Sequence, residues 1–237
     1  MVRRAYLGKG SAEDTAELTG AQASRLPRRP SGVTNVMKGD YNFQPKGLKS
    51  KQGWYDRGYL PHFDGGERAQ FITFRLFDSM PQELLDKWRK LITDEKQEAA
   101  FRKKVEHFLD SGYGSCYLRL PAVAKMIRDS LLFHNCSKYD LISWVIMPNH
   151  VHLLFKPLGD AELGPIMHSI KSYTAHEANK ILDRSGQFWQ IESFDRYIRN
   201  QKHFDAVKRY IPNNPVKAGL CARPEDWPYS YVAAIPM

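Results

Sequence analysis

A chain of 237 residues is long enough to bury one sizeable core, which favours one domain or one domain with an extension. Its 35 Lys/Arg against 26 Asp/Glu leave a net charge of +9, pointing to a polyanionic partner, nucleic acid ahead of a membrane surface. Three cysteines without CxxC spacing argue against a disulfide framework or a thiolate zinc site, and no apolar run is long enough to span a membrane, so a soluble, cytoplasmic protein is expected.

Residues 1–60 carry 11 Lys/Arg against 5 Asp/Glu, and the other 177 carry 24 against 21, so most of the excess charge sits at the start. Arg25 to Gly32 is Pro/Arg-rich and Lys46 to Lys51 is Gly/Lys/Ser-rich. Residues 1–58 therefore read as a basic, disordered arm able to touch phosphate without sequence preference, and residues 59–233 as the folded domain.

Order is expected from near Leu60. Ala69–Leu76 alternates as a first strand. Ser79 ahead of Pro81 predicts a helix start, with Leu84, Leu85, Trp88, Leu91 and Ile92 as its apolar stripe. A second helical pattern through Phe101, Val105, Phe108 and Leu109 stops at Ser111-Gly112, and its dense charges read as a solvated face. A third helix opens at Pro121 and turns Val123, Met126, Ile127, Leu131 and Leu132 inward. Strands over Tyr139–Met147 and His150–Lys156 flank a Pro148-Asn149 turn. A helix follows over Leu163–Leu182, then an extended segment over Phe188–Ile198 as the fourth strand. Asn200 caps a last helix that carries Phe204, Val207, Tyr210 and Ile211. The predicted fold class is α+β: a ferredoxin-like four-stranded antiparallel sheet with helices on one face, an inserted helical segment after the first strand and a C-terminal helix.

The chemistry gathers at Met147-Pro-Asn-His-Val-His152. Two histidines one residue apart on a strand share a face, about 6–7 Å apart along it, which suits two imidazoles on one divalent ion. A pair of satisfied core histidines is the competing reading of this stretch alone. On the last helix Tyr210 and Asn214 are four apart and so share a face. Asn214 could give an amide oxygen to the ion while Tyr210 presents its phenol to a phosphate. A phenol with a pKa of about 10 is a weak nucleophile at neutral pH, and a metal neutralising the phosphate would make its attack feasible.

The His150-Val-His152 motif, together with Phe188-Trp-Gln190, Phe194-Asp-Arg-Tyr-Ile-Arg199, Arg209-Tyr-Ile211, Asn214-Pro-Val-Lys-Ala-Gly-Leu220 and Asp226-Trp-Pro-Tyr-Ser230, resembles the REP-associated tyrosine transposases, single-tyrosine members of the HUH group. The resemblance runs from about Tyr59 to Tyr231, Gly58 to Asp64 included. It implies metal-dependent cleavage and strand transfer of single-stranded, hairpin-forming DNA. Tyr210 would be the nucleophile that leaves a 5′-phosphotyrosine link, and His150, His152 and Asn214 the ligands of Mg²⁺ or Mn²⁺. It implies a bacterial, nucleoid-associated protein acting as a monomer rather than a helix-swapped dimer. One departure stands out. Pro212 falls two residues after Tyr210, where in a helix interior it would cost about 3 kcal/mol or force a kink. We expect a kink that still leaves Asn214 near the histidines.

Tyr173, with Glu177 four residues on, is the competing nucleophile-and-ligand pair, but its apolar stripe predicts core packing; Tyr197 reads as structural. His168 and His176 read as surface residues, and His62 is left open. Phosphate contacts are expected from Arg75, Lys171, Arg196, Arg199 and Lys217, with base stacking beside them. The alternative is a domesticated hairpin-binding protein without chemistry, for which Pro212 is the sequence hint.

Overall fold

A computed structural model describes residues 53–56, 61–64, 68–92 and 94–233. Most of the basic arm lies outside the described residues. A strand pair, β1 (Gly53–Asp56) and β2 (Pro61–Asp64), runs antiparallel, so regular structure begins inside the stretch read as arm.

The centre is a five-stranded antiparallel sheet in the order β6-β3-β5-β4-β7, formed by β3 (Gln70–Arg75), β4 (Tyr139–Ile146), β5 (His150–Pro157), β6 (Phe194–Tyr197) and β7 (Ser230–Val232). Around it lie α1 (Gln82–Arg89), α2 (Glu95–Asp110), α3 (Pro121–Phe133), α4 (Leu163–Ile181) and α5 (Gln201–Lys217). With the insert α1–α2 set aside, the order is strand, helix, strand, strand, helix, strand, as expected.

Every residue of β4 is buried because helices cover both faces of the sheet. On one face Trp144, Ile146, Val151, Leu153 and Phe155 pack with Ile127 of α3 and Ile166 and Ile170 of α4. On the other, Ile142, Val145 and Leu154 meet Phe204, Val207 and Ile211 of α5. Burying each such side chain contributes about 1.5–3 kcal/mol. That sum exceeds the cost of a helix-interior proline, and α5 runs unbroken through both Pro212 and Pro215.

Four expectations are corrected. The sheet has a fifth strand, β7, too short and half-buried to show an alternating pattern. The fourth strand is four residues rather than eleven. Phe188 and Trp189 are adjacent yet both pack into the same core, on one face of the sheet, which a period of two cannot allow, so that stretch meets the chain just after β3 through the isolated Leu76–Trp189 bridge. Ser79 does not cap α1: its hydroxyl donates to the Leu76 carbonyl at 2.7 Å, and Pro81 occupies the cap position. Tyr173 is exposed rather than packed in the core. Asn200 does cap α5, accepting from the His203 amide at 2.9 Å. No helix among the described residues is long and apolar enough to cross a membrane.

Candidate active site

Strand alternation puts Phe71, Thr73 and Arg75 of β3 and His150 and His152 of β5 on the face that α5 covers, since Ile72, Phe74, Val151 and Leu153 belong to the opposite core. In register, Thr73 lies opposite His152 and Arg75 opposite His150. Both histidines are buried, and their Nε2 atoms approach to 3.1 Å. Their other ring nitrogens are engaged: His150 Nδ1 lies 2.8 Å from Asn149 Oδ1, and His152 Nδ1 lies 2.7 Å from Thr73 Oγ1. Burial and the Lys217 ammonium hold both rings below the ordinary histidine range and hence neutral, with His150 adding to the effect at His152.

Asn214, fully buried on α5, brings its side-chain nitrogen within 3.3 Å of His152 Nε2, while its Oδ1 has no partner among the described residues. The two ends of an amide exchange places by a simple flip, so the orphaned oxygen can face the imidazole pair. Pro212 has not swung Asn214 away. A divalent ion fits this donor set: two neutral imidazoles converge on one point, and a buried carbonyl oxygen without a donor stands beside them. Their 3.1 Å separation matches neighbouring positions on an octahedral ion with bonds of about 2.1 Å.

One turn before Asn214, the Tyr210 ring stands 5.5 Å from that of His152 and 5.9 Å from that of Phe71, which itself stacks on His152 at 5.5 Å. These distances all lie within one chain. Tyr210 Oη is buried; Glu106 and Asn214 approach it without completing hydrogen-bond geometry. Burial together with the Glu106 and Asp110 carboxylates pushes the phenol well above its ordinary pKa. Burial also raises Glu106 and Asp110, and Lys217 opposes it at both. Lys217 Nζ lies 3.3 Å from Asp110 Oδ2 and 5.5 Å from the centre of the Tyr210 ring.

Glu106 and Asp110 were missed by sequence reasoning, which took the charges of α2 for a solvated face. The available signal was their i, i+4 spacing beside the apolar stripe of Phe101, Val105 and Leu109. Asn149 and Thr73 gave no local signal.

Among the expected phosphate contacts, Arg199 is exposed and Arg196 half-buried. Lys217 is half-exposed beside the tyrosine. Arg75 is instead 1% exposed, with Nη1 3.4 Å from the Met80 carbonyl, and burial lowers its pKa to about 10. Lys171 donates to the Gln190 and Ile191 carbonyls at 2.7 and 2.6 Å, fastening the loop that precedes β6. Tyr173 is on α4, across the sheet from the histidines, and Glu177 is bound to Lys180 at 2.8 Å. His176 is exposed, and His168 lines a cavity of about 410 Å³ beside α4. Tyr197 lies half-buried on β6 with the Arg199 guanidinium 5.9 Å above its ring. His62 falls in β2, whose side chains are outside the described residues.

Residues 123–214, from α3 to Asn214, match the family model described as "Transposase IS200 like". The REP-associated tyrosine transposase of Escherichia coli (strain K12) is 30% identical over 93 residues, covering 39% of this chain and 53% of that protein. A Haemophilus influenzae relative provisionally given the same name is 28% identical over 102 residues, covering 39% of this chain and 58% of its own. The chain thus spans somewhat over half the length of these curated relatives. A solved REP-associated tyrosine transposase bound to a REP hairpin overlaps 74% of this chain and 80% of its own, at a TM-score of 0.42 and 22% identity.

Proposed function

We propose, from the match of residues 123–214 to the IS200-like transposase family model, that this chain is such a transposase and that it cleaves and rejoins single-stranded DNA beside a REP-like hairpin through a transient bond to Tyr210. The observation that carries the proposal is the convergence of His150, His152, Asn214 and Tyr210 on one buried point, with the imidazole nitrogens 3.1 Å apart.

The Tyr210 oxygen attacks the phosphorus of a phosphodiester and gives up its proton. The bond to the 3′-oxygen breaks, leaving a 5′-phosphotyrosine and a free 3′-OH. A 3′-OH from the same or another end reverses the step, and because the phosphoester energy is kept in the covalent link no ATP is needed. His150, His152 and Asn214 would hold Mg²⁺ or Mn²⁺, which supplies Lewis-acid neutralisation of charge on the phosphate. Phe71, stacked on His152 and edge-on to Tyr210, would hold both rings in place. Burial, with the Glu106 and Asp110 carboxylates beside it, would favour the protonated phenol of Tyr210 while the site is without substrate. Arg196, Arg199 and Lys217 would meet DNA phosphates; Arg75 and Lys171, being buried and fastened, are left out of that set. Within one chain the machinery is complete, so the protein would act as a monomer.

The test is incubation of hairpin-bearing single-stranded DNA with Mn²⁺ and a denaturing gel. Wild type should give a covalent adduct, and Tyr210→Phe should bind the hairpin yet give none. An adduct that persists in Tyr210→Phe would refute the assignment. Pro212 was the hint for a binding protein without chemistry; Asn214 lies 3.3 Å from His152 Nε2 despite it, which supports the enzymatic reading.

A further inference from the structure

The turn residue Asn149 is fully buried, and its side chain is used at both ends. Its Nδ2 donates to the Leu109 carbonyl at 3.2 Å and to the Tyr113 carbonyl at 2.9 Å. Its Oδ1 lies 2.8 Å from His150 Nδ1. Two carbonyls can only accept, so they fix which end of the amide is nitrogen, an assignment usually open to a flip. The oxygen is therefore turned to His150, and an amide oxygen has no proton to give. His150 Nδ1 must carry the hydrogen, and His150 Nε2 must present a lone pair towards His152. Without an ion between them, His152 Nε2 is then the donor across the 3.1 Å approach, a tautomer its other partner permits because the Thr73 hydroxyl on its Nδ1 can donate as well as accept.

The two carbonyls belong to the end of the inserted helix α2 and the turn after it. Gly112 and Gly114 carry that turn at φ 71° and 88°, and a Cβ at Gly114 would stand 2.8 Å from the Asp78 carbonyl oxygen. Tyr113 between them is stacked on Phe108 at 4.5 Å. The backbone of Asn149 is held as well, its carbonyl accepting from the Leu76 amide at 2.8 Å. The inserted segment, whose charges read in sequence as a solvated face, thus meets His150 through the Asn149 side chain, as it meets Tyr210 through Glu106 and Asp110.

We infer that Asn149 is the positioning residue of His150: anchored on the end of α2, it locks His150 as the Nδ1–H tautomer and so keeps Nε2 open as a metal ligand. The inference rests on the proposed function for the metal alone. Outer partners of this kind typically change metal affinity roughly 10–100-fold when removed.

The experiment has two readouts on the full chain. Long-range ¹H–¹⁵N spectra of the histidine rings, with and without Mg²⁺, should show His150 as Nδ1–H in both states. Calorimetric titration with Mn²⁺ should show Asn149→Ala binding roughly 10–100-fold more weakly than wild type while unfolding in one cooperative step. A His150 found as Nε2–H, or a folded Asn149→Ala that binds Mn²⁺ like wild type, overturns the inference. Should Asn149→Ala fail to fold, the wild-type spectra decide alone. A wild type that shows this tautomer and titrates with Mn²⁺ yet forms no adduct with DNA would refute the nuclease reading and leave the inference standing.

Discussion

Replacing Lys217 by methionine tests the electrostatics of the tyrosine's surroundings without DNA or metal. The ammonium lies 3.3 Å from the carboxylate of Asp110, whose side chain is 8% exposed, while Lys217 itself is about half in water. Coulomb's law at an effective dielectric of about 20 gives roughly 5 kcal/mol for unit charges at that distance. Solvent screening of the lysine cuts the net value steeply, but the variant leaves a buried carboxylate without its counter-charge, so a loss of about 1–3 kcal/mol at pH 7 is expected. Methionine keeps the aliphatic packing, which isolates the charge. The pH dependence carries the sign. Burial raises the carboxyl pKa of Asp110 in the folded state, and Lys217 pulls it back. A raised folded pKa means the group is easiest to bury at low pH and costs stability as pH rises through that value. Without Lys217 the folded pKa climbs further, so the deficit of Lys217→Met should be largest at neutral pH. It should shrink as pH falls to about 4, where the unfolded carboxylate protonates too. Urea unfolding at several pH values reads this directly, and Lys217→Met with Asp110→Asn should recover most of the loss. A deficit that does not change with pH, or a double variant no better than the single one, would refute the reasoning.

Further outcomes follow from the same geometry. Gly114→Ala needs a left-handed φ of 88° and a Cβ 2.8 Å from the Asp78 oxygen, so it should cost about 2 kcal/mol or more in chemical unfolding; a change within about 0.5 kcal/mol would contradict that. Ile211→Ala removes a fully buried side chain next to Tyr210 and should cost about 2–5 kcal/mol, read by thermal or urea unfolding. Arg199→Ala should flatten the salt dependence of hairpin binding by about one phosphate contact, whereas Lys171→Met should leave that slope unchanged and lower stability, since its amine holds two backbone carbonyls. Chelation with EDTA should abolish the covalent adduct and added Mn²⁺ should restore it; adduct in EDTA would exclude the metal role of the histidines.

What could be read in the chain follows the range of the interactions involved. His150 and His152 were legible because two imidazoles in an apolar strand are costly unless used, and Tyr210 with Asn214 because a helix repeats on one face at four residues. Thr73, Glu106 and Asp110 reach the centre from elsewhere in the chain, and Asn149, though next to His150, shows in sequence neither its burial nor its partners; only the i, i+4 spacing of Glu106 and Asp110 hinted at a shared face. The charges of α2 looked like a solvated face since spacing alone does not say which side of an inserted helix meets the core. Arg75 and Lys171 fail as phosphate contacts for the same reason: charge is visible in sequence, while burial against the Met80 or Gln190 carbonyl is not. Pro212 shows the converse. The local rule predicted a kink or an end, and the packing of Phe204, Val207 and Ile211 on the sheet keeps the helix in one piece past it. Phe188 and Trp189 likewise abandon the strand pattern because the core takes both.

The claim at the centre is that Tyr210 is the nucleophile of a site built on His150, His152 and Asn214. Its most direct measurement is peptide mapping by mass spectrometry of the adduct formed between the wild-type chain and hairpin-bearing single-stranded DNA in Mn²⁺. The account predicts a 5′-phosphorylated nucleotide on the peptide that contains Tyr210. A nucleotide carried by another tyrosine, Tyr173 foremost, would contradict it.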